Sequence, residues 1–389
     1  MNILFISYAE VSLRKGGVRA AGMLRALADA GHRVDLVAPY TDLPDHPHIR
    51  VLIDSGDRPL RQAQDRPVRR AKLRMAGRRA VWRDSYDAVH AADESVFFAM
   101  RLCRWKKIPL VYAATRCFSG KAGSGMAGLG RFFPKHLHRL EAKVLERAAV
   151  VFSPCSALTA DLRGVDRDAR VVQLEDIPAQ PLYAQQNADK PILSGKEPVL
   201  SSSNGPAPGP VVVCCALSGH AVGFRQLLMA ARKVIDVVPD AVFFFKGAPQ
   251  RPAEKMAANL DIADHCVFLP PDEPETFFSA LGIADAVLML PSGESRYIHP
   301  QVYTLLHAGA PLVTLPDAAY DEVLTEKTSV RVLPNSESIA EGLLRVVQEP
   351  LFSLAVALEG QQLVATRHTY SSFKHKIRMT YLDLAKTAS

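Results

Sequence analysis

Short apolar, β-rich runs alternate with stretches of helical periodicity along almost the whole chain. In the first half the runs are Ile3–Tyr8, Arg33–Pro39, Arg50–Ile53, Ala88–Ala91, Pro109–Ala114, Ala149–Pro154 and Arg170–Leu174. In the second half they are Val211–Leu217, Ala241–Lys246, Cys266–Leu269, Ala284–Leu290, Pro311–Leu315 and Ser329–Leu333. Several are continuously apolar rather than alternating, as parallel strands buried on both faces are. The alternation of strand and helix predicts βαβ units with right-handed crossovers. The first unit is the clearest. Ile3–Ser7 leads through a loop to Gly16-Gly17, after which Val18, Ala21, Leu24, Leu27 and Ala28 form one helical stripe. Gly31 stands at the expected left-handed cap, and His32-Arg33-Val34 opens the next strand.

The pattern breaks between Tyr183 and Pro210. That stretch is rich in Pro, Ser, Gly, Asn and Gln, with Ser201-Ser202-Ser203-Asn204-Gly205-Pro206 at its centre. It buries little apolar surface and reads as an exposed linker or long surface loop. The expected division is an N-terminal domain over 1–182, a linker or loop over 183–209 and a second domain from 210. The fold class is α/β, two doubly wound domains facing across a cleft, with ligands at the carboxyl ends of the strands.

Of the 389 residues, 48% are apolar and 22% charged, which excludes a chain disordered throughout, a fibrous repeat and a membrane bundle. The apolar runs are far shorter than the roughly twenty residues a membrane span needs. Met1 to Ser7 lacks a basic leading region and reads as a strand, not a signal peptide. The six cysteines show no C-x-x-C spacing. They read as reduced core thiols of a cytosolic protein and leave no zinc-ligand pattern. Gly123 to Gly128 matches G-x-G-x-x-G but does not directly follow a strand, so it reads as a loop rather than a dinucleotide site.

Charge changes the picture at one place. From Arg58 to Arg83 the chain carries ten basic residues and one acid, Asp65, against a net charge of +7 for the whole. Val68, Leu73, Met75, Val81 and Trp82 are interspersed there. The segment reads either as a basic amphipathic helix on an anionic membrane surface or as a solvated helix face. Nucleic acid is not an expected partner.

Several stretches carry a family likeness. Lys15-Gly16-Gly17-Val18, with Leu24 to Val34, looks like a glycine pair followed by "L-A-x-x-G-H-x-V". Tyr86 to Ala91 is similar to a "Y-D-V-V-H" strand, and Glu141 to Ser156 looks like the helix and strand that close a first domain. Ala284 to Ser292 resembles "A-D-V-x-x-x-P-S", Ala308 to Val313 resembles "A-x-G-x-P-V-V", and Tyr370-Ser371-Ser372-Phe373 leads into a last helix. In order and spacing the chain resembles the retaining glycosyltransferases of family four, which have the GT-B fold. The resemblance implies two Rossmann-like domains, a second domain over 210–366 that binds the nucleotide-sugar, and a C-terminal helix over 367–389 returning to the first. It implies transfer of a sugar, with retention, from a nucleotide-sugar donor to a glycan or lipid-linked acceptor, as in cell-envelope polysaccharide biosynthesis. The expected location is cytoplasmic, or peripheral on the inner face of the cell membrane. No cofactor or metal is implied, because the family stabilises its leaving group with side chains and helix dipoles.

The chain departs from the family at its charged positions. With the Gly309 motif as anchor, the family's glutamate pair falls on Arg296 and Thr304, and no Asp or Glu occurs from Ser295 to Pro316. Glu294 replaces the first glutamate after a shift of one or two residues. The phosphate-binding Lys falls on Val222. The resemblance then assigns catalysis to Glu294, Arg296 and His90. It assigns donor binding to Gly16, Gly17, Gly219, His220, Arg225, Lys246, Gly247 and Thr304. Main-chain N–H groups at Gly219–Gly223 and the following helix start can hold phosphate, with Arg225, His220 and Arg296 adding positive charge. His90 and Asp93 follow a strand, where a His serves as general base or orients an acceptor, or caps the next helix. Thr115-Arg116 stand where the family often has a His. The missing charges keep a second function open, a catalytically inactive GT-B homologue acting as a binding or scaffolding subunit.

Overall fold

The structure is a computed structural model that describes residues 1–12, 18–53, 66–119, 134–179, 211–217, 223–248, 250–269, 274–291 and 297–388. Contacts divide the chain into two compact units, Met1–Ile177 with Tyr370–Ser389, and Pro178–Thr369. The expected linker at 183–209 and the glycine-rich stretch at 123–128 lie outside the described residues, as do residues 58–65 of the basic segment.

Unit 1 holds strands β1 (Asn2–Ser7), β2 (Arg33–Val37), β3 (Ile49–Ile53), β4 (Ala88–Ala92), β5 (Leu110–Ala113), β6 (Ala148–Ser153) and β7 (Val171–Gln173). They form a parallel sheet in the order β3-β2-β1-β4-β5-β6-β7. Its helices include α1 (Val18–Asp29), α2 (Arg66–Arg83), α3 (Val96–Lys106), α4 (Pro134–Arg147) and α5 (Ser156–Val165). Ile3, Leu4, Phe5 and Ile6 of the central strand β1 are all fully buried, so both of its faces lie in the core. Burying each such side chain contributes about 1.5–3 kcal/mol. Gly31 adopts φ +85°, a left-handed cap that other residues resist, and the chain turns there from α1 into β2.

Unit 2 holds β8 (Val212–Leu217), β9 (Val242–Lys246), β10 (Cys266–Leu269), β11 (Ala286–Leu290), β12 (Leu312–Thr314) and β13 (Val330–Arg331). Their order is β10-β9-β8-β11-β12-β13, again parallel throughout. Helices α6 (Phe224–Val237), α7 (Gln250–Asn259), α8 (Pro274–Gly282), α9 (Gln301–His307), α10 (Ser336–Gln348) and α11 (Pro350–Arg367) accompany it. All thirteen apolar runs of the sequence contain a strand. Pro39, Pro109, Pro154 and Pro311 fall just outside, because proline has no N–H for the ladder.

The last helix, α12 (Tyr370–Ala388), belongs to unit 1. Phe373, Ile377, Tyr381 and Leu384 recur at helical spacing and are buried. Tyr370 donates its hydroxyl to Asp29 at 2.6 Å, and Lys376 pairs with Glu175 at 2.5 Å. No two cysteines are bonded to each other, and burial pushes the Cys103, Cys214 and Cys266 thiols up to about 12. Such thiols are unreactive.

Both sheets reverse strand order beside their first strand, at β1/β4 in unit 1 and β8/β11 in unit 2. In open parallel sheets, ligands bind outside the carboxyl ends of the strands at such a reversal.

Candidate functional site

In unit 2 the reversal lies between β8 and β11. The segments that follow these strands, 218–222 and 292–296, carry Gly219, His220, Glu294 and Arg296 and lie outside the described residues. Gly16 and Gly17, in 13–17 after β1, do so as well. The geometry therefore rests on Lys246, Gly247, Arg225, Thr304 and His90.

Lys246 ends β9 in register with Ala216, one residue from the end of β8. Its ammonium lies 4.9 Å from the ring centroid of Phe277 and 5.5 Å from that of Phe278, both on α8. Aromatic faces attract a cation but do not neutralise it. Burial lowers the pKa of Lys246, and no carboxylate pairs with it among the described residues. A partly desolvated, unpaired cation of this kind is best completed by an anion. Gly247 follows at φ +89°, a conformation glycine adopts without strain, and it turns the exposed backbone out of the sheet directly after the ammonium.

Helix α6 starts at the same end of the sheet. Phe224 packs edge-on against Phe245 of β9 at 5.8 Å and lies 6.2 Å from Phe268 of β10. Leu227, Leu228, Ala231, Val234 and Ile235 bury the inner face of the helix. Gly223 at the cap supplies no side chain to the first N–H groups, and the positive end of the helix faces this edge of the sheet. Arg225, in the first turn, is exposed and makes no ion pair among the described residues. Lys246, the α6 start and Arg225 together present positive charge at the carboxyl ends of β8 and β9, chemistry suited to a diphosphate.

Two expected site residues have other roles. Thr304, on α9, is 4% exposed, and its hydroxyl oxygen accepts the N–H of Ala179 at 3.0 Å. It ties the first residues of unit 2 to α9 rather than facing a ribose. His90 is 0% exposed in the middle of β4. It stacks on Phe5 at 4.6 Å, and its Nδ1 shares a 2.7 Å hydrogen bond with the Tyr381 hydroxyl of α12. Burial, with the Arg19 charge nearby, pushes its pKa down to about 3. His90 is thus a neutral core histidine, with no open face through which to act as a general base.

At the carboxyl end of β4 and its neighbours, unit 1 gathers polar groups. Asp93 adopts φ +46°, a strained backbone for a non-glycine residue. Its Oδ1 accepts from the Thr115 backbone N–H at 3.1 Å and the Thr115 hydroxyl at 2.5 Å. Burial raises its carboxyl above the usual range, against the pull of Thr115 and Arg116. Arg19, 8% exposed in the first turn of α1, donates from Nη1 to the Leu174 carbonyl at 2.8 Å and to Asp176. Its Nε and Nη2 have no partner among the described residues. The sequence reading missed Arg19. Its only signal there was a cation two residues after Gly17, at the start of an otherwise apolar helix. Among the described residues, no group of three or more His, Cys, Asp or Glu is placed to hold a metal ion, and no helix is long and apolar enough to cross a membrane.

Residues 16–175 match the Glycosyl transferase 4-like domain. No curated protein matches the chain. Among solved structures, sucrose-phosphate synthase from Thermosynechococcus elongatus aligns over 100% of both chains at 15% identity and TM-score 0.67. Anabaena Alr3699/HepE, solved in complex with UDP-glucose, aligns over 98% of this chain and 100% of its own at 16% identity and TM-score 0.63. UDP-GlcNAc 2-epimerase from Neisseria meningitidis, bound to UDP-GlcNAc, aligns over 98% and 100% at 13% identity and TM-score 0.63. At these identities the likeness establishes the fold, two parallel-sheet Rossmann-like units of the GT-B type. The family-four resemblance is supported by the domain match.

Proposed function

We propose that this chain, with its glycosyl transferase 4-like region over 16–175, moves a sugar from a nucleotide-sugar donor to a glycan or lipid-linked acceptor, with retention. The observation that carries the reading is Lys246, a half-buried ammonium at the strand ends of unit 2 that no carboxylate pairs with among the described residues. Departure of a nucleoside diphosphate builds negative charge on the leaving group. Fixed cations and a helix start in a partly dry site stabilise that charge. Lys246, Arg225 and the α6 start supply this field without a metal, with Glu294 and Arg296 assigned to the sugar and diphosphate. The UDP-glucose and UDP-GlcNAc complexes of structurally similar proteins favour a uridine donor. The acceptor is assigned to unit 1. The setting is cell-envelope polysaccharide synthesis in the cytoplasm, with peripheral contact to the inner membrane face through the basic segment.

Calorimetric titration with a panel of nucleotide-sugars tests the reading. One donor is expected to bind with micromolar affinity, with free nucleotide accumulating on incubation with acceptor. A charge-assisted contact contributes about 1.5–3 kcal/mol, so Lys246→Ala should weaken that donor at least tenfold. Because burial lowers the Lys246 pKa, affinity should begin to fall at a lower pH than an ordinary lysine would dictate, and Lys246→Arg should remove that fall. Absence of binding across the panel by folded protein would overturn the proposal. The buried, backbone-bound Thr304 favours a second reading, an inactive GT-B relative used for binding. Donor binding without nucleotide release would select it.

A further inference from the structure

Helix α2 has two apolar faces. Leu73, Ala80 and Val81 are buried against unit 1. On the opposite side, at seven-residue spacing, Val68, Met75 and Trp82 form a row that points to solvent, with exposures of 62%, 49% and 63%. At 100° per residue the exposed basic side chains divide around this row, Arg74 and Arg78 on one flank, Lys72, Arg79 and Arg83 on the other. A groove runs along each flank. One, of about 540 Å³, is lined by Arg74, Arg78 and Trp82 of α2 with Arg101 and Trp105 of α3. The other, of about 560 Å³, is lined by Lys72, Met75, Arg79 and Arg83 of α2, with Arg50 and Asp84, which pair with each other at 2.7 Å. Trp105, 56% exposed, stands edge-on to Trp82 at 4.8 Å, and the Lys106 ammonium lies 4.4 Å from the Trp82 ring centroid. Neither α2 nor α3 contains an acid. Lys72, Arg78, Arg79, Arg83 and Arg101 form no ion pair among the described residues.

An apolar ridge between two basic grooves matches the layering of a bilayer surface. Apolar and tryptophan side chains settle at the boundary of headgroups and acyl chains, while cations stay level with the phosphates. We propose that the α2–α3 face of unit 1 docks on an anionic phospholipid surface, with Val68, Met75, Trp82 and Trp105 inserted and the two flanking arginine grooves holding lipid phosphates. This deepens the membrane contact of the functional reading and rests on that contact alone, not on sugar transfer. A soluble acidic glycan could fill the grooves but offers nothing to the outward ridge.

Trp82 and Trp105 are the only tryptophans in the chain, so intrinsic fluorescence reports on this face alone. The full-length protein is titrated with vesicles of phosphatidylglycerol and phosphatidylcholine, and with pure phosphatidylcholine. The anionic vesicles should shift the emission to the blue, brominated lipid should quench it, and both effects should weaken as salt rises. In sedimentation, Met75→Ser with Trp82→Ser should lower vesicle affinity at least tenfold, with an unchanged circular-dichroism spectrum. Lys72→Gln with Arg79→Gln should reduce the preference for anionic lipid. Sedimentation without a fluorescence change means that another face docks, and overturns the proposal. Equal binding to neutral vesicles, no binding, or a fluorescence change with dextran sulfate but not with vesicles also overturns it. Donor titration of the same samples keeps this result separate from the fate of the glycosyltransferase reading.

Discussion

Asp176→Ala should destabilise unit 1 by about 3–5 kcal/mol, the usual consequence of removing one partner from a buried ion pair. Asp176 is 3% exposed and Arg19 8%, so neither charge is well hydrated once the other is gone. Arg19 is already short of partners, because its Nε and Nη2 are unsatisfied among the described residues. Without Asp176 the guanidinium would keep, among the described residues, the Leu174 carbonyl alone. Urea unfolding at neutral pH measures the loss. The double variant Arg19→Met, Asp176→Leu should recover much of it, since replacing both partners by apolar groups is often close to neutral. A loss below about 1 kcal/mol in Asp176→Ala would show that the pair is hydrated and that the Arg19 site is open.

Acidification from pH 7 to pH 5 should cost unit 1 a similar amount, about 4 kcal/mol, through two histidines. Burial and Arg19 push His90 down to about 3. Burial and the N-terminal ammonium push His32 down to about 4, against Asp87. In the unfolded chain both rings take up a proton near their ordinary value of 6.5. Below that pH the unfolded state therefore binds more protons than the folded one. The stability these neutral rings contribute is complete above about pH 6.5 and is lost as pH falls toward 4 and 3. At pH 5 each accounts for about 2 kcal/mol. The measurement is urea unfolding at several pH values, with His90→Phe expected to remove about half of the decline. Equal stability at pH 5 and pH 7 would show that both rings are protonated, and hence hydrated, in the native protein.

His90 also marks where local sequence stops being informative. The stretch Tyr86 to Ala91 reads correctly as a strand, and a polar His near its end reads as a group at the strand's ligand side. The register instead sets His90 between Phe5 of β1 and Val111 of β5, two positions before the end of β4. Its partner Tyr381 arrives from α12, 291 positions away. Thr304 is similar, because its hydroxyl is engaged by a backbone N–H 125 positions earlier. Lys246 was legible as a strand-end cation. What makes it unusual, the two phenylalanine rings of α8 and the lack of a carboxylate partner among the described residues, was not.

Local patterning is enough to give the thirteen described strands, the βαβ alternation and the likeness to family four. Those features are local: a strand buried on both faces is apolar along its length, and its turns need glycine or proline nearby. Packing between distant elements settles which polar side chains face the strand ends and which lie in the core. It placed Arg19 and Asp93 at a sheet reversal, gave Thr304 and His90 to the interior, and turned one apolar row of α2 outward. A polar group's environment is set by whatever packs against it, and here those partners come from elements remote in the chain.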